Sequence, residues 1–163
     1  MISFNHLNEH LFATGGEQSG YIHVWDLRMP RHFLNDLGFH KSAVSQIEWS
    51  PHCENLFMSS STDGLVYVWD NDKASEEQAR HDYEDGPAEM VFPHDMHKKE
   101  AIEDICWSPH PGEVHTAVSV DTQMSMQVWK MSEDFFFEEA DFLDKLDLIK
   151  EGDLEWVNDY YID

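Results

Sequence analysis

Short apolar runs recur along the first 130 residues, and each run stops at a turn signal. The clearest series, within residues 40–70, has three runs: 44–49, 56–60 and 65–69. A Ser-Pro pair ends the first run, since proline cannot donate to a sheet ladder, and Asp63-Gly64 is a hairpin signal between the last two. The pattern predicts short antiparallel strands and an all-β chain.

The same series appears again on both sides of this unit. Trp25, Trp69 and Trp129 close the three copies. The other runs predicted as strands lie at about 2–5, 11–15, 21–25, 31–39, 90–92, 102–107, 115–120 and 126–130. A unit that recurs in this way cannot bury both of its faces alone, so the copies are expected to stack into one array.

Two acidic segments break the rhythm of the repeats. Residues 70–89 hold eight acidic residues against Lys73 and Arg80, which predicts an exposed insertion. Residues 133–163 are predicted as an acidic extension with a helix over about 133–150, because apolar residues recur near helical spacing. These apolar residues include Phe135, Phe136, Leu143, Leu146 and Ile149.

The predicted domain organisation follows from these breaks. The repeats occupy residues 1–132, divided at about 1–39, 40–92 and 93–132, and the extension occupies 133–163. The apolar stripe of the extension is either a face that docks on the repeats or an amphipathic helix for a partner. A further hypothesis is that Trp156, Tyr160 and Tyr161 add a strand to the last repeat.

The net charge of the chain narrows the classes of partner that are expected. The chain has 33 Asp and Glu against 10 Lys and Arg, a formal net charge of -23. Such a field repels phosphate backbones and anionic lipids, so no direct nucleic-acid or membrane partner is expected. Basic proteins are the favoured partners, with simple solvation of a crowded surface as the alternative.

Cysteine content and targeting signals predict a reducing compartment, the nucleus or the cytosol. Cys53 and Cys106 are too few for a disulfide framework, and Cys106 is predicted to be a small core residue. The start of the sequence lacks the features of a secretory leader. No apolar run approaches the roughly 18–20 residues that span a bilayer.

Enzymatic chemistry is not predicted. The cluster His94, His97, His110, His115 and Cys106 suggests a metal site, but the repeat pattern explains several of these positions and no paired metal-ligand motif is present. The sequence has no glycine-rich phosphate loop and no nucleophile elbow. We therefore predict a chain without a catalytic site, cofactor or metal.

Trp-Asp at the end of two units, a His at the start of two and Asp-Gly in a hairpin resemble WD repeats. This resemblance implies a β-propeller whose blades each hold a buried hydrogen-bonded set. The set maps onto His40, Ser59, Asp63 and Trp69. The first copy has Thr14 and Trp25 but Glu17-Gln18 at the turn, and the third has His97, Ser119 and Trp129 but a longer turn and Lys130. Only the middle copy is therefore predicted to be complete.

Longer motifs are similar to the C-terminal blades of the retinoblastoma-binding/MSI-like histone-binding WD-repeat family. They are the FHKSAVSQIEWSPH stretch, an acidic loop ending in Gly-Pro, and the QVWKMSE ending, and the similarity covers residues 1 to about 134. It implies a non-catalytic scaffold and histone chaperone in nuclear chromatin-assembly or chromatin-modifying complexes. The family ring has seven blades, so about three blades here imply an open arc. A truncated generic WD-repeat scaffold is an alternative.

The resemblance also implies a histone site in the acidic loop. Its residues are Glu84, Asp85, Gly86 and Pro87, with Phe92 as an apolar floor. Carboxylates beside an apolar groove suit a basic amphipathic helix. A solvated insertion is the alternative reading.

The WDLR sequence is similar to the WD-x-R box that docks some propellers to the adaptor of cullin-type ubiquitin ligases. Trp25, Asp26 and Arg28 are the matching residues, and Arg28 could make a charge-assisted bidentate contact. This reading would make the chain a substrate receptor. An ordinary strand end with a solvated arginine is the alternative.

Overall fold

The computed structural model describes residues 1–16, 19–75 and 86–132. These residues form eleven strands and one short 3₁₀ turn at Asn71–Ser75. The strands are β1 (Ile2–Phe4), β2 (Leu11–Gly15), β3 (Tyr21–Asp26), β4 (Asn35–Gly38), β5 (Val44–Trp49), β6 (Leu56–Ser61), β7 (Val66–Asp70), β8 (Met90–His94), β9 (Ile102–Trp107), β10 (Thr116–Asp121) and β11 (Met126–Lys130). The predicted all-β class is confirmed. The helix predicted over about 133–150 and the extension at 133–163 lie outside the described residues.

The strands form three antiparallel sheets in chain order. The first sheet contains β1–β4, the second β5–β8 and the third β9–β11. Each sheet is a meander, because consecutive strands pair with one another. The predicted partial propeller with an open arc is confirmed, each sheet being one blade.

The second sheet lies at the centre of the array. All six residues of β6 are buried, which indicates that both faces of this strand are covered. One face carries Trp49, Phe57 and Trp69 side by side, because β5, β6 and β7 pair in that register. These rings share a core with Ile22 and Val24 of the first sheet.

Two indole groups join neighbouring sheets by the same kind of hydrogen bond. Trp49 Nε1 donates to the carbonyl of Ser3 at 3.2 Å. Trp107 Nε1 donates to the carbonyl of Glu48 at 3.1 Å. The bonds fix how the first sheet sits on the second and the second on the third.

The prediction that Cys106 is a core residue is wrong. In β9 the buried residues are Ile102, Ile105 and Trp107, and Cys106 is exposed. Side chains alternate along a strand, so Cys106 points to the face opposite Trp107. The same face of the third sheet exposes Met126 and Val128.

The turn at Gly64 requires glycine. Its φ of +85° lies in the left-handed region, where a side chain is strained. A Cβ at this position would also come within 2.5 Å of Lys99 Cα, which belongs to the loop before β9. The predicted Asp-Gly hairpin signal therefore serves both the turn and the contact between blades. No helix in the described part is long and apolar enough to cross a membrane.

Candidate functional site

The structure brings together the four residues expected to form the buried set of the middle copy. His40 Nε2 lies 2.7 Å from Ser59 Oγ, and Trp69 Nε1 donates to the same oxygen at 2.8 Å. His40 Nδ1 lies 3.3 Å from Asp63 Oδ2. Burial raises the pKa of the Asp63 carboxyl, but hydrogen bonds from His40 and the Lys41 amide outweigh it, so the pKa is lowered. The set holds the loop before β5 against the turn after β6.

The third copy has an equally complete set, which corrects the prediction that only the middle copy is complete. His97 Nε2 lies 2.7 Å from Ser119 Oγ, and Trp129 Nε1 donates to that oxygen at 3.1 Å. The acid is Asp121, whose Oδ2 lies 2.9 Å from His97 Nδ1. Hydrogen bonding from His97 lowers the pKa of Asp121.

Asp121 was missed because it stands at a different spacing. Asp63 follows its serine by four residues, whereas Asp121 follows Ser119 by two. A register shift between Val120 and Asp121 and a left-handed Met124, with φ of 62°, reshape the third turn. The second carboxylate oxygen of Asp121, Oδ1, accepts hydrogen bonds from the backbone N–H groups of Ser125 and Gln123, at 2.9 and 3.0 Å. The sequence feature that could have identified Asp121 is its place as the first residue of the DTQMS turn.

His94 does not share the position of His97 in the buried set. It pairs with Val66 in β8, just as Leu37 pairs with Ile22 in β4, so His94 stands where the first sheet has a buried leucine. Its ring stacks on Trp129 at 4.6 Å. Burial first, and then the neighbouring His97, lower its pKa to about 4. Its Nε2 atom is buried without a hydrogen-bond partner among the described residues.

Glu48 lies between the second and third sheets. Its carboxylate accepts the Trp107 N–H at 3.2 Å. Burial raises its pKa to about 7, and the nearby Asp104 adds to the effect, while the hydrogen bond from Trp107 opposes it. The interface between these sheets therefore contains an acid that titrates near neutral pH.

The predicted acidic-loop site is described only at one end. Glu84 and Asp85 lie outside the described residues. Gly86 is buried with φ of +121°, and a Cβ there would come within 2.3 Å of Met90 Cε. Phe92 is half-buried and stacks on Trp129 with ring centroids 5.6 Å apart. The insertion thus ends at Gly86, where only glycine fits. Phe92, the predicted apolar floor of the site, contacts the third blade.

The WDLR residues are fixed at the end of β3. Trp25 Nε1 donates to Thr14 Oγ1 at 2.9 Å. Arg28 donates to both carboxylate oxygens of Asp26, with Nη2 at 2.6 Å from Oδ2. This pairing lowers the pKa of Asp26 to about 2, chiefly through the side-chain hydrogen bonds. The Arg28 side chain remains 65% exposed, so a partner can still reach it.

Two of the histidines considered for a metal site have other contacts in the structure. No group of three or more His, Cys, Asp or Glu in the described ranges is arranged to hold a metal ion. His97 is used in the buried set, and His94 in the stack on Trp129.

The comparisons first define the class of protein. The model of the WD domain, G-beta repeat, matches residues 31–70. A chain of the crystal structure of the mitotic checkpoint complex superposes with a TM-score of 0.60 over 80% of this chain and 34% of that one. Its sequence identity is 22%, so this likeness bears on the fold alone. The chain is a WD-repeat β-propeller protein.

Comparison with curated relatives then indicates which WD-repeat proteins this chain is most usefully compared with. Histone acetyltransferase type B subunit 2 of Candida glabrata is 30% identical over 131 residues, covering 80% of this chain and 30% of the relative. The protein of the same name from Debaryomyces hansenii is 32% identical over 116 residues, covering 67% and 28%. Ciliary dynein intermediate chain 2 of Heliocidaris crassispina is 30% identical over 118 residues, covering 72% and 14%. The chain contains a WD repeat and is similar to histone acetyltransferase type B subunit 2 over most of its own length, and it spans about three tenths of the length of the two subunits.

Proposed function

We propose that this chain is a non-catalytic histone-binding scaffold or chaperone subunit of nuclear chromatin-assembly or chromatin-modifying complexes. The observation that carries the proposal is its similarity to histone acetyltransferase type B subunit 2 over 80% of its length. Its partners are core histones and other subunits of such complexes. The described fold is suited to this role, because a rigid array of blades presents loops without requiring catalytic groups.

The charge of the chain supports a basic partner. The formal net charge is -23, and the insertion at 70–89 is among its most acidic stretches. Glu84 and Asp85 precede the fixed Gly86-Pro87 corner, and Phe92 supplies apolar surface at the following strand. Lysine and arginine side chains of a histone helix would pair with the two carboxylates while its apolar face packs near Phe92.

Charge reversal tests this site. The Glu84→Lys/Asp85→Lys variant should weaken binding of recombinant core histones at least tenfold in a fluorescence titration. The matched control is Glu76→Lys/Glu77→Lys, which changes net charge equally within the same insertion. Equal weakening by both variants would mean that binding follows total charge. Unchanged binding in the first variant would refute the site.

A second candidate function is docking to a cullin-type ubiquitin ligase adaptor. The observation in its favour is that Asp26 holds Arg28 in a fixed, 65% exposed position after β3. Arg28→Ala should abolish co-precipitation of the adaptor, with Arg31→Ala as the control for lost charge. If Arg28→Ala and Arg31→Ala recover equal amounts of the adaptor, this second function is refuted. If the wild-type chain binds no histone in the titration, the chain is a generic WD-repeat scaffold.

A further inference from the structure

The first two sheets meet through an aliphatic face and an aromatic face. The first sheet contributes aliphatic side chains such as Ala13 and Val24, which alternate along β2 and β3 with side chains of the opposite face. The second sheet contributes the rings of Trp49, Phe57 and Trp69, which lie side by side across β5, β6 and β7. All five side chains belong to one buried core. The earlier sheet thus supplies aliphatic groups and the later sheet supplies rings.

The junction between the second and third sheets repeats this arrangement. The second sheet contributes Met58, Val66 and Val68, which are all fully buried. Val68 pairs with Phe92, so the two side chains share a face, and the Phe92 ring stacks on Trp129 of the third sheet. Both junctions therefore set aliphatic side chains of the earlier sheet against aromatic rings of the later one.

The first sheet carries an aromatic face on the side away from the second sheet. Phe4, Phe12 and Trp25 are cross-strand neighbours in β1, β2 and β3, in the same register as the three rings of the second sheet. The rings of Phe4 and Phe12 lie 5.6 Å apart, and Phe12 stacks on Trp25 at 6.2 Å. Phe4 is 56% exposed, and the other two are half-buried. The described sheets include none that covers this aromatic face.

The third sheet carries an aliphatic face on the side away from the second sheet. Val118, Met126 and Val128 stand in β10 and β11 at the register positions of the aliphatic residues of the second sheet in β6 and β7. Met126 and Val128 are 65% and 64% exposed, whereas Val66 and Val68 at the equivalent positions are buried. Contiguous exposed apolar side chains of this kind mark interaction surfaces. This aliphatic face is the counterpart of the aromatic face on the first sheet.

We infer that two copies of this chain associate head to tail, with the aromatic face of each copy packed on the aliphatic face of the other. Both junctions within the described array join these two kinds of face, and neither joins two faces of the same kind. Head-to-tail contacts between identical copies close into a ring when the rotation permits. Two copies contribute six of the described sheets, which is within the roughly 4–8 blades of closed propellers. The inference does not depend on the proposed histone binding.

Apolar burial has to drive this association, because the charge of the chain opposes it. Each copy has a formal net charge of -23, so two copies repel one another, and salt screens that repulsion. Raising the salt concentration should therefore lower the dissociation constant of the pair. A pair that salt weakens would be held by ionic contacts, and that result would overturn the assignment to these two faces.

Size-exclusion chromatography with light scattering, run on the full-length chain over a dilution series, tests the pair. The wild type should shift from the mass of two chains to that of one as it is diluted. Phe4→Glu and Val128→Lys, one on each face, should each raise the dissociation constant at least tenfold. The matched controls Met29→Glu and Met96→Lys change loop residues that are 65% and 61% exposed, and they should leave it unchanged. A one-chain mass at every wild-type concentration, a mass that grows without limit, or equal weakening in the controls would overturn the inference.

Mixing the two face variants tests the direction of the contact. Phe4→Glu keeps an intact aliphatic face, and Val128→Lys keeps an intact aromatic face. An equimolar mixture should therefore regain the two-chain mass that each variant alone has lost, which would also show that both variants are folded. Pairing of like faces would instead leave one of the variants paired on its own. That result, or a mixture that stays at the mass of one chain, would overturn the inference.

Discussion

Replacing His94 by leucine is expected to stabilise this chain, and most strongly at mildly acidic pH. His94 is 5% exposed, stacks on Trp129 and has a buried Nε2 without a partner among the described residues. The equivalent residue of the first sheet is Leu37, which is 1% exposed. Leucine at position 94 would thus restore the residue type that the repeat already accommodates.

The size of the effect has two parts. A buried polar atom without a partner costs about 1–3 kcal/mol, and the lost ring stack offsets about 0.5–1.5 kcal/mol of this gain. The second part depends on pH, because burial lowers the pKa of His94 from 6.5 to about 4. The unfolded chain therefore binds a proton that the folded chain refuses, and stability is lost as pH falls from 6.5 toward 4. Between pH 7.5 and 5.5 this loss amounts to about 1 kcal/mol.

Urea unfolding followed by tryptophan fluorescence at pH 7.5, 6.5 and 5.5 measures both parts. His94→Leu should raise the free energy of unfolding by about 1 kcal/mol at pH 7.5 and about 2 kcal/mol at pH 5.5. His6→Leu, at an exposed histidine, is the control for the general effect of replacing an imidazole ring by leucine. A His94→Leu variant with the same pH dependence as the wild type would refute the reasoning.

Three further variants test other parts of the array. Glu48→Gln should raise the thermal midpoint relative to the wild type by an amount that grows as pH rises from 4.5 to 7, because the folded chain keeps a proton on Glu48 that the unfolded chain releases; a difference in midpoint that stays the same across this range would contradict the raised pKa of about 7. Gly64→Ala should destabilise by about 2 kcal/mol in urea unfolding, through its positive φ and the contact with Lys99, whereas Gly112→Ala, with no atom within 4 Å of the added Cβ, should not. Ser119→Ala should cost about 2 kcal/mol by removing the hydroxyl group that hydrogen-bonds both His97 and Trp129, and a loss no larger than that of exposed Ser125→Ala would mean that the third set contributes nothing.

The strands were predictable because their signals are local. Alternation of apolar residues and turn residues such as Asp63-Gly64 act within a few positions of the strands they define. Asp121 was not predictable from spacing, since the register shift at the end of β10 moves the acid relative to Ser119. The prediction for Cys106 was wrong because it treated β9 as buried on both faces. Successive side chains of a strand point to opposite faces, so Cys106, next to buried Trp107, lies on the exposed face.

The indole bonds between sheets give the array a direction. Trp49 donates to Ser3 of the preceding sheet, and Trp107 donates to Glu48, the residue equivalent to Ser3. Phe4 holds the position of Trp49 in the first sheet and has no ring N–H to donate. The two ends of the array are therefore chemically unlike, and the Cys106 carbonyl is the acceptor that the pattern offers to a blade added after the third. An indole placed beside that carbonyl would repeat the bond, whereas Phe4 presents an aromatic surface without a ring N–H at the first sheet.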